Sequence, residues 1–82
     1  MPRRPMHRVV LFSRAGCHLC DVARETIMSE QTRLGFEFGE IDIEGHDELE
    51  LEYGIRIPVV EVDGEEAFEI SVDPGELARL VG

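Results

Sequence analysis

The chain reads as one α/β domain built on a four-stranded mixed sheet, in element order β-α-β-α-β-β-α with helices on both faces. Three observations predict it. A short apolar run, Arg8–Ser13, passes through a turn into a helix-period stretch and then into a second strand-like run, the pattern of a right-handed parallel crossover. Two later runs flank Asp63-Gly64, a two-residue hairpin signal that makes them antiparallel neighbours. Asp73-Pro74-Gly75-Glu76 then opens a last helix with an N-cap, a first-turn proline and an N3 glutamate ahead of Leu77, Leu80 and Val81. With 82 residues, 43% of them hydrophobic, the chain holds one modest core and nothing asks for a second domain.

Residues 1–7 carry Pro2, Pro5, Arg3 and Arg4 without an apolar period, so they are expected to form a flexible arm ahead of a domain spanning 8–82. Arg8–Ser13 is short and β-branched, as in a strand covered on both faces. Arg14-Ala15-Gly16 is a turn. From Cys17 onward Leu19, Ala23 and Ile27 fall at i, i+4 and i+8, which predicts a helix with one buried stripe that frays near Gln31 to Gly35. The run Phe36–Ile43 reads as a strand whose apolar parity changes across Gly39, so a bulge is expected there, or a start at Phe38. Between Gly45 and Gly54 a short helix is expected, although Leu49, Leu51 and Tyr53 also alternate as a strand would. Pro58 through Val62 and Ala67–Ile70 are the two hairpin strands.

The formal charge of −10 argues against nucleic acid and anionic membranes as partners, since both recruit basic proteins. Four of the eight arginines lie in the first fourteen positions, yet the apolar run Val9-Val10-Leu11-Phe12 is too short for a secretory signal. A cytoplasmic monomer with no membrane span is expected, in a compartment where thiol pairs rest reduced and cycle in use.

The only two cysteines, Cys17 and Cys20, are three positions apart. A disulfide closing so small a loop stabilises a fold by at most ~2 kcal/mol, so the pair calls for chemistry or metal rather than stapling. Its placement where a strand hands over to a helix matters more than its spacing. A cysteine at a helix's first turn faces free backbone N–H groups and the positive end of the macrodipole, both of which favour the thiolate. Cys17 is then the attacking sulfur, and Cys20, one turn deeper, resolves the mixed disulfide. The alternatives are zinc, for which only His7, His18 and His46 would complete a ligand set, an iron–sulfur cluster shared across a dimer through Cys17, and a structural pair.

Val10-Leu11-Phe12-Ser13-Arg14-Ala15-Gly16-Cys17-His18-Leu19-Cys20 resembles the first strand and active-site loop of the glutaredoxin-like, thioredoxin-fold family, with Arg14 where a basic residue commonly precedes the first cysteine by three. Arg56-Ile57-Pro58-Val59-Val60 is similar to the segment whose proline is cis in that fold and faces the cysteines. The resemblance runs from Val9 to Val81. It implies a thioredoxin-like fold, a thiol–disulfide oxidoreductase, and an Ile57 backbone that pairs with a bound disulfide substrate as an added strand. The chain departs from the family where typical members hold glutathione with Gly-Gly and this one reads Ile70-Ser71-Val72-Asp73-Pro74, and where His18-Leu19 replaces Pro-Tyr. Glutathione is therefore expected to be a poor partner. Electrons would come from a protein reductase or another thioredoxin-fold protein, with no cofactor beyond the redox-active Cys17–Cys20 disulfide itself.

Four further residues have two readings each. Pro58 starts an edge strand or takes the family's cis position, and His18 is a solvated loop residue or an imidazole that lowers the Cys17 pKa. Arg14 and Arg56 are ordinary surface charges or, together, flank the cleft and attract a carboxylate or thiolate of a disulfide-containing protein or small thiol substrate. The stretch Glu37 to Glu52, with eight carboxylates and no arginine, is a solvated face or a docking surface for a basic partner.

Overall fold

A computed structural model describes residues 7–82, so residues 1–6 of the expected arm lie outside the described residues. His7, placed by sequence at the arm's end, is tied to the domain. Its carbonyl accepts the Glu37 N–H at 3.0 Å and its Nδ1 lies 2.7 Å from Asp63 Oδ2. The elements are β1 (Arg8–Ser13), α1 (His18–Leu34), β2 (Glu37–Asp42), α2 (Asp47–Tyr53), β3 (Val59–Val62), β4 (Glu65–Glu69) and α3 (Pro74–Val81). The sheet order is β2-β1-β3-β4, with β1 and β2 parallel and the other two pairings antiparallel. Asp63 and Gly64 take φ +55° and +85°, the left-handed pair that a two-residue hairpin needs.

Alternation along the two central strands builds a core on each face of the sheet. Val9 and Leu11 of β1 and Val60 and Val62 of β3 join Ala23 and Ile27 of α1 and Leu77 and Val81 of α3 on one side. Phe12, Val59, Ile43 and Tyr53 of α2 pack on the other, where the Phe12 and Tyr53 rings stack with centroids 4.5 Å apart. The larger core therefore anchors α1, the helix that carries the cysteines.

Three expectations are corrected. The buried stripe of α1 is Cys20, Ala23 and Ile27, while Leu19 is 48% exposed. Cys17 forms the cap and turns Cys20 inward, which leaves Leu19 and Val22 toward solvent. Gly39 carries no bulge and pairs with Val10 in an unbroken register from Arg8↔Glu37 to Ser13↔Asp42. The parity change arises because the two ends of this segment serve different cores, Phe36 and Phe38 the first and Ile43 the second. The register shift falls instead in the hairpin, where Val60 opposes Phe68 but Glu61 opposes Glu66. Fourth-strand pairing begins at Glu65, directly after the turn, and stops before Ile70.

Candidate active site: the Cys17–Cys20 pair

The loop leaving β1 positions both sulfurs. Gly16 takes φ +79°, a value glycine adopts without a Cβ clash, and delivers Cys17 to the N-cap of α1 in an extended conformation. Cys20 N–H donates to Cys17 Sγ at 3.2 Å, and Asp21 N–H to the Cys17 carbonyl at 3.1 Å. Cys17 is half-buried, and Cys20 one turn on is fully buried. The two form a disulfide with Cα atoms 5.2 Å apart.

The Ile57–Pro58 peptide bond is cis and Pro58 is fully buried. Phe12 stands opposite Val59, so one step further along the register Pro58 lies opposite Ser13, at the end of β1 from which the cysteine loop departs. Ile57 is half-buried against the second core. The Pro58 carbonyl accepts the Ile70 N–H at 2.7 Å, which fastens the end of β4 to the same edge. Ile70 has φ +72°, a left-handed value that costs a β-branched residue ~1–3 kcal/mol. Sequence gave no sign of it, because the residues that favour this conformation are Gly and Asn. His18, the first residue of α1, is exposed.

Both candidate cleft arginines hold glutamates. Arg14 Nη2 donates to Glu50 Oε1 of α2 at 3.3 Å. Arg56 donates to Glu66 at 2.7 and 3.0 Å and to Glu69 at 3.4 Å, and its guanidinium lies 5.4 Å from the Tyr53 ring centroid. The Glu66 hydrogen bond holds the Arg56 guanidinium protonated above its usual range. Burial, with Glu61 accepting the hydroxyl proton at 3.2 Å, raises the Tyr53 pKa.

Beneath the loop lies a network that sequence reasoning missed. Buried Ser13 donates to Glu40 at 2.5 Å, and Arg24 of α1 bridges Glu40 and Asp21. These residues, with Arg14 and Gly16, line a polar cleft of about 350 Å³ that neither cysteine lines. The only sequence signal was a serine ending an apolar strand. The Arg24 hydrogen bond is the main cause holding the Glu40 carboxyl below its usual value. A carboxyl lowered by folding stabilises the protein above its unfolded pKa of ~4.3, and that contribution is lost as pH falls through the folded value. Glu40→Gln is therefore expected to make the acid-side fall of stability shallower in urea melts from neutral pH downward. It is not expected to abolish the fall, because Asp63, Glu66 and Glu76 are held down likewise by His7, Arg56 and Arg79. An unchanged slope would show that the network carries no weight. Among the described residues no group of three or more His, Cys, Asp or Glu side chains is placed to hold a metal ion.

Known proteins are similar to this chain in sequence and in fold. The profile described as Glutaredoxin-like domain (DUF836) matches residues 8–82. The Mycobacterium tuberculosis (strain ATCC 25618 / H37Rv) protein Rv0508 is 36% identical over 75 residues, which cover 85% of this chain and 77% of that protein. Protein Ne2328 from Nitrosomonas europaea superposes with a TM-score of 0.83 at 25% identity, covering 100% of this chain and 98% of that one. Target protein XcR50 from X. campestris gives a TM-score of 0.71 at 32% identity, over 87% and 91% of the two chains. A thioredoxin from Halobacterium salinarum, 21% identical with a TM-score of 0.66 over 92% of this chain and 71% of its own, shows the fold alone. The chain belongs to the glutaredoxin-like family and carries its Cys17–Cys20 pair on a thioredoxin-like fold.

Proposed function

We propose that the protein is a thiol–disulfide oxidoreductase, an electron carrier that reduces disulfides through Cys17 and Cys20. One observation carries the reading: a half-buried sulfur caps a helix while its disulfide partner lies fully buried one turn below. Removing the first four N–H groups of a helix from partners leaves positive potential at the cap, which favours a thiolate at Cys17. In the reduced protein the Cys17 thiolate attacks one sulfur of a substrate disulfide. A Cys17–substrate disulfide forms as the substrate S–S bond breaks, and the departing thiolate takes a proton from water. Cys20 loses its proton to solvent and attacks Cys17 Sγ, so the internal disulfide closes and the second substrate thiol is released. Two electrons and two protons pass to the substrate. An external dithiol returns them.

Ile57 lends its backbone to the substrate as an added strand beside Pro58, and Arg14, His18 and Arg56 border the entering disulfide. The pair rests reduced in the cytoplasm and works as a monomer on a protein or small-thiol disulfide. A protein reductase fits as electron donor better than glutathione, because Val72 packs against the larger core where a glycine would permit close backbone contact. No helix among the described residues is long and apolar enough to cross a membrane.

The test is turnover of hydroxyethyl disulfide and of insulin, driven either by millimolar glutathione with its reductase or by a thioredoxin-reductase system. Faster turnover with the second system is the expected result. Rapid glutathione-driven turnover would overturn the choice of donor. If prereduced protein consumed neither disulfide above the spontaneous rate, the redox reading itself would fall.

A further inference from the structure

The apolar residues of α2 fall on two opposite faces. At about 100° per residue, Leu49 and Tyr53 share one face, and both pack into the second core. Leu51 and Ile55 share the other, for Gly54 keeps a helical backbone and its N–H donates to the Glu50 carbonyl, so the turn continues to Ile55. These two side chains are 91% and 97% exposed. Asp47, Glu48 and Glu52 surround them on the helix surface. Among the described residues Asp47 and Glu48 join no ion pair, and Glu52 reaches Arg56 only at 4.0 Å. The strand-like alternation of this segment thus comes from a helix that is apolar inside and apolar outside.

The outer face leads, through Arg56, to the strand that follows Pro58. Arg56, next to Ile55, ties the end of α2 to Glu66 and Glu69 of β4, and the Ile70–Pro58 hydrogen bond holds Ile70, 44% exposed, at the entry to β3. Two nearly bare large aliphatic side chains ringed by carboxylates are poorly matched to water and well matched to an apolar segment that also carries cations.

We propose that the Leu51–Ile55 face is the docking surface for a protein partner whose contacting segment is basic and apolar, which presents its disulfide or cysteine to Cys17. This rests on the thiol–disulfide reading for the chemistry, though not for the binding. A surface of this sign would accelerate encounter at low salt and select against acidic substrates.

The experiment uses the full chain and two synthetic peptides of alternating Lys and Leu or of alternating Glu and Leu. Each is made once with a serine, for fluorescence anisotropy titration, and once as a disulfide-linked pair, for reduction. The Lys–Leu serine peptide is expected to bind with an affinity that falls as salt rises, and Leu51→Ser/Ile55→Ser to weaken it by roughly tenfold or more. The same variant should keep wild-type melting and wild-type reduction of hydroxyethyl disulfide. Equal binding of the Glu–Leu peptide, or unchanged binding to the variant, would overturn the proposal. So would self-association of the wild type that the variant abolishes, which would give the face to a second copy of the chain. Binding without reduction of any disulfide would leave the docking surface standing and remove the redox reading.

Discussion

Cys17→Ser is expected to reduce disulfides no faster than the spontaneous exchange, whereas Cys20→Ser keeps the first attack and stalls as a mixed disulfide. The difference follows from placement. Cys17 is half-buried at a helix cap, and Cys20 is fully buried with its N–H directed at the Cys17 sulfur. On the proposed roles, removing the half-buried sulfur removes the nucleophile, an effect on the order of a thousandfold or more when one group forms the covalent intermediate. Removing the buried one leaves the intermediate with nothing to resolve it, so Cys20→Ser should accumulate protein–substrate adducts visible by intact mass on non-reducing samples. In the reduced wild type, alkylation at mildly acidic pH should mark Cys17 first. Equal alkylation of both sulfurs, or adducts on Cys17→Ser rather than on Cys20→Ser, would sink the assignment of roles.

Ile27→Ala should have the largest effect on stability without touching the chemistry. Ile27 is fully buried between α1 and the sheet, beside Val9, Leu11 and Leu77. Deleting its outer carbons leaves a cavity and costs ~2–5 kcal/mol, against a total of ~5–15 kcal/mol for a domain of this kind. The thermal midpoint should fall by on the order of 10–25 °C. Leu19→Ala on the same helix should change stability by no more than ~0.5 kcal/mol, since its side chain is half in solvent. A larger loss at Leu19 than at Ile27 would mean that α1 is rotated from the orientation described.

These two residues also show where sequence stops being legible. Periodicity at i, i+4 and i+8 found the helix and its inner residues Ala23 and Ile27, but it could not tell Leu19 from Cys20 as the first inward position. Hydropathy favours Leu, and the structure favours Cys20 because the cap at Cys17 fixes the helix's rotation. The hairpin at Asp63-Gly64 and the helix start at Asp73-Pro74 were legible because each residue's backbone or capping preference acts locally. Gly39 misled because a parity change has two causes, an inserted residue or a segment serving two cores, and only three-dimensional packing separates them. The same holds at the site. The cysteines and Pro58 announce themselves, while Arg24, Glu40 and Ser13 come together from three elements with no common sequence mark.

The sheet order has a consequence for the protein's life in a crowded solution. β2 and β4 are its two outer strands, and each offers backbone groups to which another chain could add. β2 carries Glu37, Glu40 and Asp42 and β4 carries Glu65, Glu66 and Glu69; Arg24 pairs with Glu40 and Arg56 with Glu66 and Glu69, so Glu37, Asp42 and Glu65 are the edge carboxylates outside the ion pairs among the described residues. Two molecules meeting by either border would align carboxylates with carboxylates at the spacing of paired strands, where like charges repel most strongly. The acidity of the chain thus acts at its margins as a guard against fibril-like growth, and the guard weakens as those carboxylates take up protons.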